Sequence, residues 1–189
     1  MTTKDRKTDI ILGSLFLILT VGFIVLAMTN KLFFDWVFER HHNQWSWYLR
    51  PLFLVPFCYF AFRKKFSGMM ISIFALFTSM FWFPKPEIVS KSVVEFLEFE
   101  KEYLYGQWNT EKILLTLTIP ISFITLGLAF WKRSLVLGVA VIGLMATGKM
   151  VWSIENAGES GKSILIPAIA GLFICCGIIY YGFKRLTKK

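Results

Sequence analysis

Residues 84–112 read PKPEIVSKSVVEFLEFEKEYLYGQWNTEK. This is the only long charged segment in a chain otherwise made of apolar runs. From Glu87 to Tyr105, the apolar residues Val89, Val93, Phe96, Leu97, Tyr103 and Leu104 recur at helical spacing. Lys91, Glu95, Glu98 and Glu102 fall on the opposite face. Pro84 and Pro86 stop any helix entering from the preceding run, and Gly106 is a natural C-terminal stop. The pattern predicts an amphipathic helix over 87–105 lying on a membrane surface. Glu100 breaks it. It falls between Leu97 and Leu104, on the face that meets lipid or protein. A charge there calls for a cation or a polar cavity, unless it reaches water at the stripe's edge.

The flanking sequence explains why a membrane is the reference surface. Apolar runs cover about 10–28, 47–62, 69–83, 113–131, 135–150 and 164–183. Of the 189 residues, 56% are apolar, above the roughly 45–50% usual for soluble domains. Six such runs leave too little chain for a separate soluble catalytic domain. The expected fold is all-α: a polytopic membrane protein with six transmembrane helices, both termini cytoplasmic, and two outer-face interfacial amphipathic helices. Residues 1–189 form a single integral membrane domain in this reading. The second outer segment, 31–46, sets Phe33, Trp36 and Val37 against Asp35, Glu39 and Arg40, and the aromatic belt Trp45-Ser46-Trp47-Tyr48 follows it. Thr8 and Asp9 are the expected caps of the first helix. Gly13 and Gly22 offer close approach to a neighbour. Pro51 and Pro56 are expected to bend the second helix, and Pro120 the fourth. The first run is too long for a signal-peptide core and lacks a small-x-small cleavage pattern, so it is read as a membrane helix.

Charge sets the expected orientation. With the N-terminus inside, the inner segments hold Lys4, Arg6, Lys7, Arg63, Lys64, Lys65, Lys132, Arg133, Lys184, Arg185, Lys188 and Lys189 against Asp5 and Asp9, a net of +10. The outer segments hold the other nine basic and ten acidic residues, a net of −1, which completes the +9 of the chain. This is the positive-inside pattern. The same clustering beside apolar runs argues against nucleic acid, which needs a basic stripe on a soluble face. Cys58, Cys175 and Cys176 all lie in apolar runs, as packing residues do. With no disulfide expected and short loops, a bacterial cytoplasmic membrane is the expected location. The inner ends Ala61-Phe62-Arg63-Lys64, Ala129-Phe130-Trp131-Lys132 and Gly182-Phe183-Lys184-Arg185 look alike. The match is short, and either repeated use of an aromatic anchor beside basic residues or a three-fold internal repeat of helical hairpins would produce it.

Chemistry-bearing residues are few. Glu100, Arg50, Lys149, Glu155, His41 and His42 belong to one outer level and form a candidate outer polar pocket, in which Arg50 or Lys149 pairs with Glu100 or Glu155. Adjacent histidines point about 100° apart on a helix and do not chelate one ion, so no metal site is assigned. Residues 156–163, NAGESGKS, nearly match the phosphate-binding GxxxxGK[ST] loop. That loop needs a strand before it and a sheet behind it, so no nucleotide is expected at Asn156–Ser163. No GxSxG, HExxH or Ser-His-Asp arrangement occurs. No catalytic residue and no cofactor is assigned. The leading function class is an accessory or structural protein that binds a partner membrane protein, a second copy or lipid. A small-solute transporter, with Thr118, Ser122 and Thr125 as a polar stripe, comes next. A membrane enzyme acting on lipid headgroups comes third.

Overall fold

Nine α-helices account for most of the chain in a computed structural model, which describes residues 3–187. They are α1 (Thr3–Thr29), α2 (Lys31–His41), α3 (Trp45–Leu52), α4 (Leu54–Phe62), α5 (Phe66–Thr78), α6 (Lys91–Tyr105), α7 (Thr110–Trp131), α8 (Leu135–Gly161) and α9 (Leu165–Thr187). Short 3-10 turns at Ser79–Phe81 and Lys162–Ile164 complete the helical content, and no strand occurs among the described residues. Lys188 and Lys189, counted above in the basic tail, lie outside the described residues.

Three stretches are long and apolar enough to cross a membrane: Thr3–Thr29, Thr110–Trp131 and Leu135–Leu186. The last is not one rod. Gly158 adopts φ 58° and ψ −131°, a conformation open to glycine, and α8 and α9 pack against each other. The fifth apolar run thus continues in helix well beyond residue 150, as far as this break.

The expected second span is two helices. Pro56 has no N–H to donate to the carbonyl of Leu52, and the chain breaks at Phe53 between α3 and α4. Pro120, by contrast, sits inside an unbroken α7. On the charged stretch, helix α6 begins only at Lys91, so Glu87–Val89 stay outside it.

Asp9 has a different role from the one its position suggested. It lies inside α1, and its carboxylate caps α5 instead. The Phe66 N–H donates to Asp9 Oδ2 at 2.9 Å, and the Ser67 N–H and hydroxyl donate to Oδ1 at 3.2 and 2.6 Å. The residue preceding α5, Lys65, makes no side-chain cap of its own. Thr8 only bonds back to Lys4 O. Beside the cap, a Cβ on Gly13 would lie 2.2 Å from the Phe66 ring, so α1 and α5 need glycine there, whereas Gly22 faces open space.

The main core joins Leu54, Phe57, Cys58 and Ala61 of α4, Met69 and Met70 of α5, Leu126 and Phe130 of α7, Val141 and Ile142 of α8, and Ile179 of α9. At one end of it, Phe183 meets Phe62 at 5.3 Å and Phe130 at 6.1 Å between ring centroids. These are the aromatic residues of the three look-alike helix ends. Two of those ends also turn alike. Lys64 (φ 54°) and Arg133 (φ 60°) take the left-handed conformation, and the next N–H reaches back five residues, from Lys65 to Phe60 O and from Ser134 to Ala129 O. The Asp9 cap of Phe66 lies beside the first of these turns. Basic residues from the start of α1, the α4–α5 turn, the α7–α8 turn and the end of α9 therefore collect at one end of the bundle.

Replacing Asp9 with alanine exposes two N–H groups at the start of α5. We expect a loss of about 1–2 kcal/mol for Asp9→Ala and under about 0.5 kcal/mol for Thr8→Ala, read by thermal unfolding in an uncharged detergent. Equal losses would contradict the cross-helix cap.

Candidate polar site beneath helix α6

The opposite end of the bundle is closed by α2 and α6. Val93, Phe96 and Leu97 of α6 are each 1% exposed. They pack with Phe34 and Phe38 of α2, Trp47 of α3 and Ile164 ahead of α9. Lys91, Glu95, Glu98 and Glu102 are exposed. Polar ties hold the helix at several points. Lys101 pairs with Asp35 of α2, Tyr105 Oη donates to Ala27 O of α1 at 3.1 Å, and Glu100 pairs with Lys149 of α8.

A further tie was not legible in advance. Lys112, 5% exposed, turns its ammonium onto the end of α6. It donates to Tyr103 O, to Leu104 O at 3.3 Å and to Gly106 O at 3.2 Å. A cation at a helix C-terminus satisfies free carbonyls and the negative end of the dipole. The rings of Tyr103 and Trp108 lie 4.8 and 4.5 Å from it.

Beneath this layer, four of the six candidate residues come together. Glu100 is on α6, Lys149 on α8, His41 at the end of α2 and Arg50 on α3. Glu100 ion-pairs with Lys149 and also lies within electrostatic reach of Arg50. The Lys149 ammonium stacks over Trp152 at 4.6 Å and Phe96 at 5.4 Å. The other two candidates stay outside. Glu155 is exposed further along α8, and His42 Nδ1 turns back to Phe38 O at 2.8 Å.

His41 is 4% exposed, and both its ring nitrogens are engaged. Nδ1 lies 2.9 Å from Ser46 Oγ, and Nε2 lies 3.3 Å from Arg50 Nη1. The Ser46 hydroxyl donates to Asn43 O at 2.8 Å, so its oxygen is free to accept. Guanidinium nitrogens only donate, so Nε2 must accept. Both constraints are met by the neutral tautomer protonated at Nδ1. A relay results, in which Arg50 donates to His41, His41 to Ser46 and Ser46 to Asn43 O. The Trp47 indole N–H holds His41 O at 2.9 Å. Burial, reinforced by the charges of Arg50 and Lys149 and by His42, holds the His41 imidazole well below its usual pKa.

The Asn156–Ser163 segment, meanwhile, forms the last turn of α8 and the break at Gly158, followed by the 3-10 turn Lys162–Ile164. Lys162 pairs with Glu159 at 2.6 Å.

In sequence, Ser46 and Trp47 read only as part of an aromatic belt, and Trp152 carried no role. Trp47 and Trp152 reach the site through α6, where Trp47 packs on Phe96 and Trp152 on Phe99, and these contacts join helices far apart in sequence. No family model matches the chain, and no curated protein or solved structure shows detectable similarity to it.

The cross-helix pair is testable by reversal. Glu100→Lys and Lys149→Glu should each lower stability by about 1 kcal/mol, and the double variant should recover most of the loss. A double variant no better than the sum of the singles would contradict the pairing. His41 supplies a second test. Its folded form stays neutral while the unfolded form takes up a proton below about pH 6.5. Stability should therefore fall as pH drops below that value, by up to about 1.4 kcal/mol per pH unit, and His41→Asn should remove that dependence. An unchanged pH profile in His41→Asn would show that another group is responsible.

Proposed function

We propose that this chain is an integral membrane protein with six spans and both termini on the cytoplasmic side of a bacterial membrane. Its role in this reading is accessory: it holds a lipid or a partner membrane protein at its outer face and performs no chemistry of its own. α1 and α7 carry exposed apolar residues along most of their length, including Ile11, Ile18, Val25, Leu114, Ile121 and Ile124, a surface suited to acyl chains. The shorter helices α3, α4 and α5 lie between longer ones. Residues 45–62 would extend roughly 27 Å and residues 66–81 roughly 24 Å if straight, near the thickness of a hydrocarbon core. Collection of the basic turns at one end of the bundle, with the acid-rich α6 at the other, supports the orientation.

The observation that carries the accessory reading over transport is the direction of the polar stripe on α7. Thr118 is exposed, and the hydroxyls of Thr118, Ser122 and Thr125 bond back to Leu115 O, Thr118 O and Ile121 O of their own helix. Self-bonded in this way, they support a stripe facing outward over one lining a path. For a headgroup enzyme, the cluster under α6 lacks a free base, because Glu100 is paired and both nitrogens of His41 are engaged.

Topology can be checked in a variant whose Cys58, Cys175 and Cys176 are replaced by alanine, with single cysteines introduced one at a time. Glu87→Cys and Gln107→Cys should react with a membrane-impermeant maleimide in sealed right-side-out vesicles. Ser134→Cys should react only after permeabilisation. The reverse pattern, or labelling of all three without permeabilisation, would overturn the proposed orientation.

A further inference from the structure

The two cations of the polar cluster are not equally served. Lys149 has Glu100 as a counter-ion. Arg50 has none within ion-pair distance among the described residues, and its one hydrogen bond there goes to the neutral ring nitrogen of His41 at 3.3 Å. A guanidinium carries five N–H donors in a planar fork. Holding it half-buried with one weak acceptor is costly unless an anion completes the set. With His41 neutral, Arg50 and Lys149 outweigh Glu100 by one positive charge.

The surroundings narrow the type of anion. Arg50 is the positioned member, since the relay through His41 and Ser46 to Asn43 O holds its Nη1 in place. A planar fork fits two oxygens of one oxyanion, and an ammonium serves as a second point charge. Trp45, Trp47 and Tyr48 precede Arg50 on its own helix, and Trp152 carries Lys149. Aromatic residues of this kind mark the level at which lipid phosphates lie.

We propose that the cluster binds a phosphate oxyanion, with Arg50 as its bidentate donor, Lys149 as the second cation and His41 as the residue that positions Arg50. Glu100 is the internal counter-ion that the ligand displaces in part from Lys149. The proposal gives a chemical class to the lipid-holding role above and rests on that reading only for the lipid source of the phosphate.

The test uses the full chain in an uncharged, phosphate-free detergent, with the thermal midpoint followed against ligand concentration. One arm adds inorganic phosphate and the other adds dihexanoyl phosphatidylglycerol. Sodium chloride at matched ionic strength is the reference for both. We expect at least one phosphate probe to raise the midpoint beyond the chloride reference. A response to inorganic phosphate marks a soluble ligand, and a response to the lipid alone marks a headgroup. Arg50→Gln should weaken the apparent Kd about tenfold or more, and Glu100→Gln should tighten it several-fold. If Arg50→Gln does not fold, Arg50→Lys keeps the charge, removes the fork and should still bind more weakly. The proposal is overturned if neither probe exceeds chloride, or if the foldable Arg50 variant binds as the wild type does. Such a failure leaves the maleimide pattern untouched, so it is separable from a failure of the membrane reading.

Discussion

Burial of three side chains, Val93, Phe96 and Leu97, holds the charged segment of this protein to its bundle. Each is almost wholly enclosed, and each contributes about 2 kcal/mol relative to exposure in water. The ion pair Glu100–Lys149 is partly exposed on its lysine side, and a pair of that kind is worth at most about 1 kcal/mol. Apolar contact therefore sets where α6 lies. The ionic and carbonyl contacts from Lys101, Lys149 and Lys112 set its register. Because α6 is fixed this way, Glu100 faces inward over Lys149 and Arg50 instead of reaching water.

The other end of the molecule is organised by a different device. Two helix-to-helix turns end in left-handed basic residues, Lys64 and Arg133, where glycine is the usual choice. A lysine or arginine in that conformation costs about 1 kcal/mol. Both place a basic side chain at a point where the chain reverses. The phenylalanines that precede these turns converge on Phe183, and Asp9 ties the first helix to the same region. Stability and charge placement are thus achieved by the same few residues.

Much of this was legible in sequence because it depends on local pattern. Apolar length marked the helices, and the spacing of Val93, Phe96 and Leu97 marked the buried face of α6. Glu100 stood out as a charge on that face. What was not legible depends on tertiary partners. Asp9 looked like a cap for its own helix, yet the helix starts earlier and the carboxylate serves α5, 57 residues away. Lys112 closes the charged stretch in sequence, and its long stem lets the ammonium reach back to the carbonyls ending α6. Two prolines of similar appearance behaved differently. The chain breaks at Phe53, between Pro51 and Pro56, while Pro120 stands alone in a long helix that continues through it. His41 and His42 are adjacent in sequence but take different partners. Their rings separate, and His41 supports Arg50.

Helix α6 is part of the packed bundle rather than a helix resting loosely on a surface. Hydrogen exchange of the full chain in lipid nanodiscs tests this most directly. The amides of residues 94–100 should exchange as slowly as those of the core helix α4. Exchange of that segment at the rate of the non-helical residues 84–88 would contradict it.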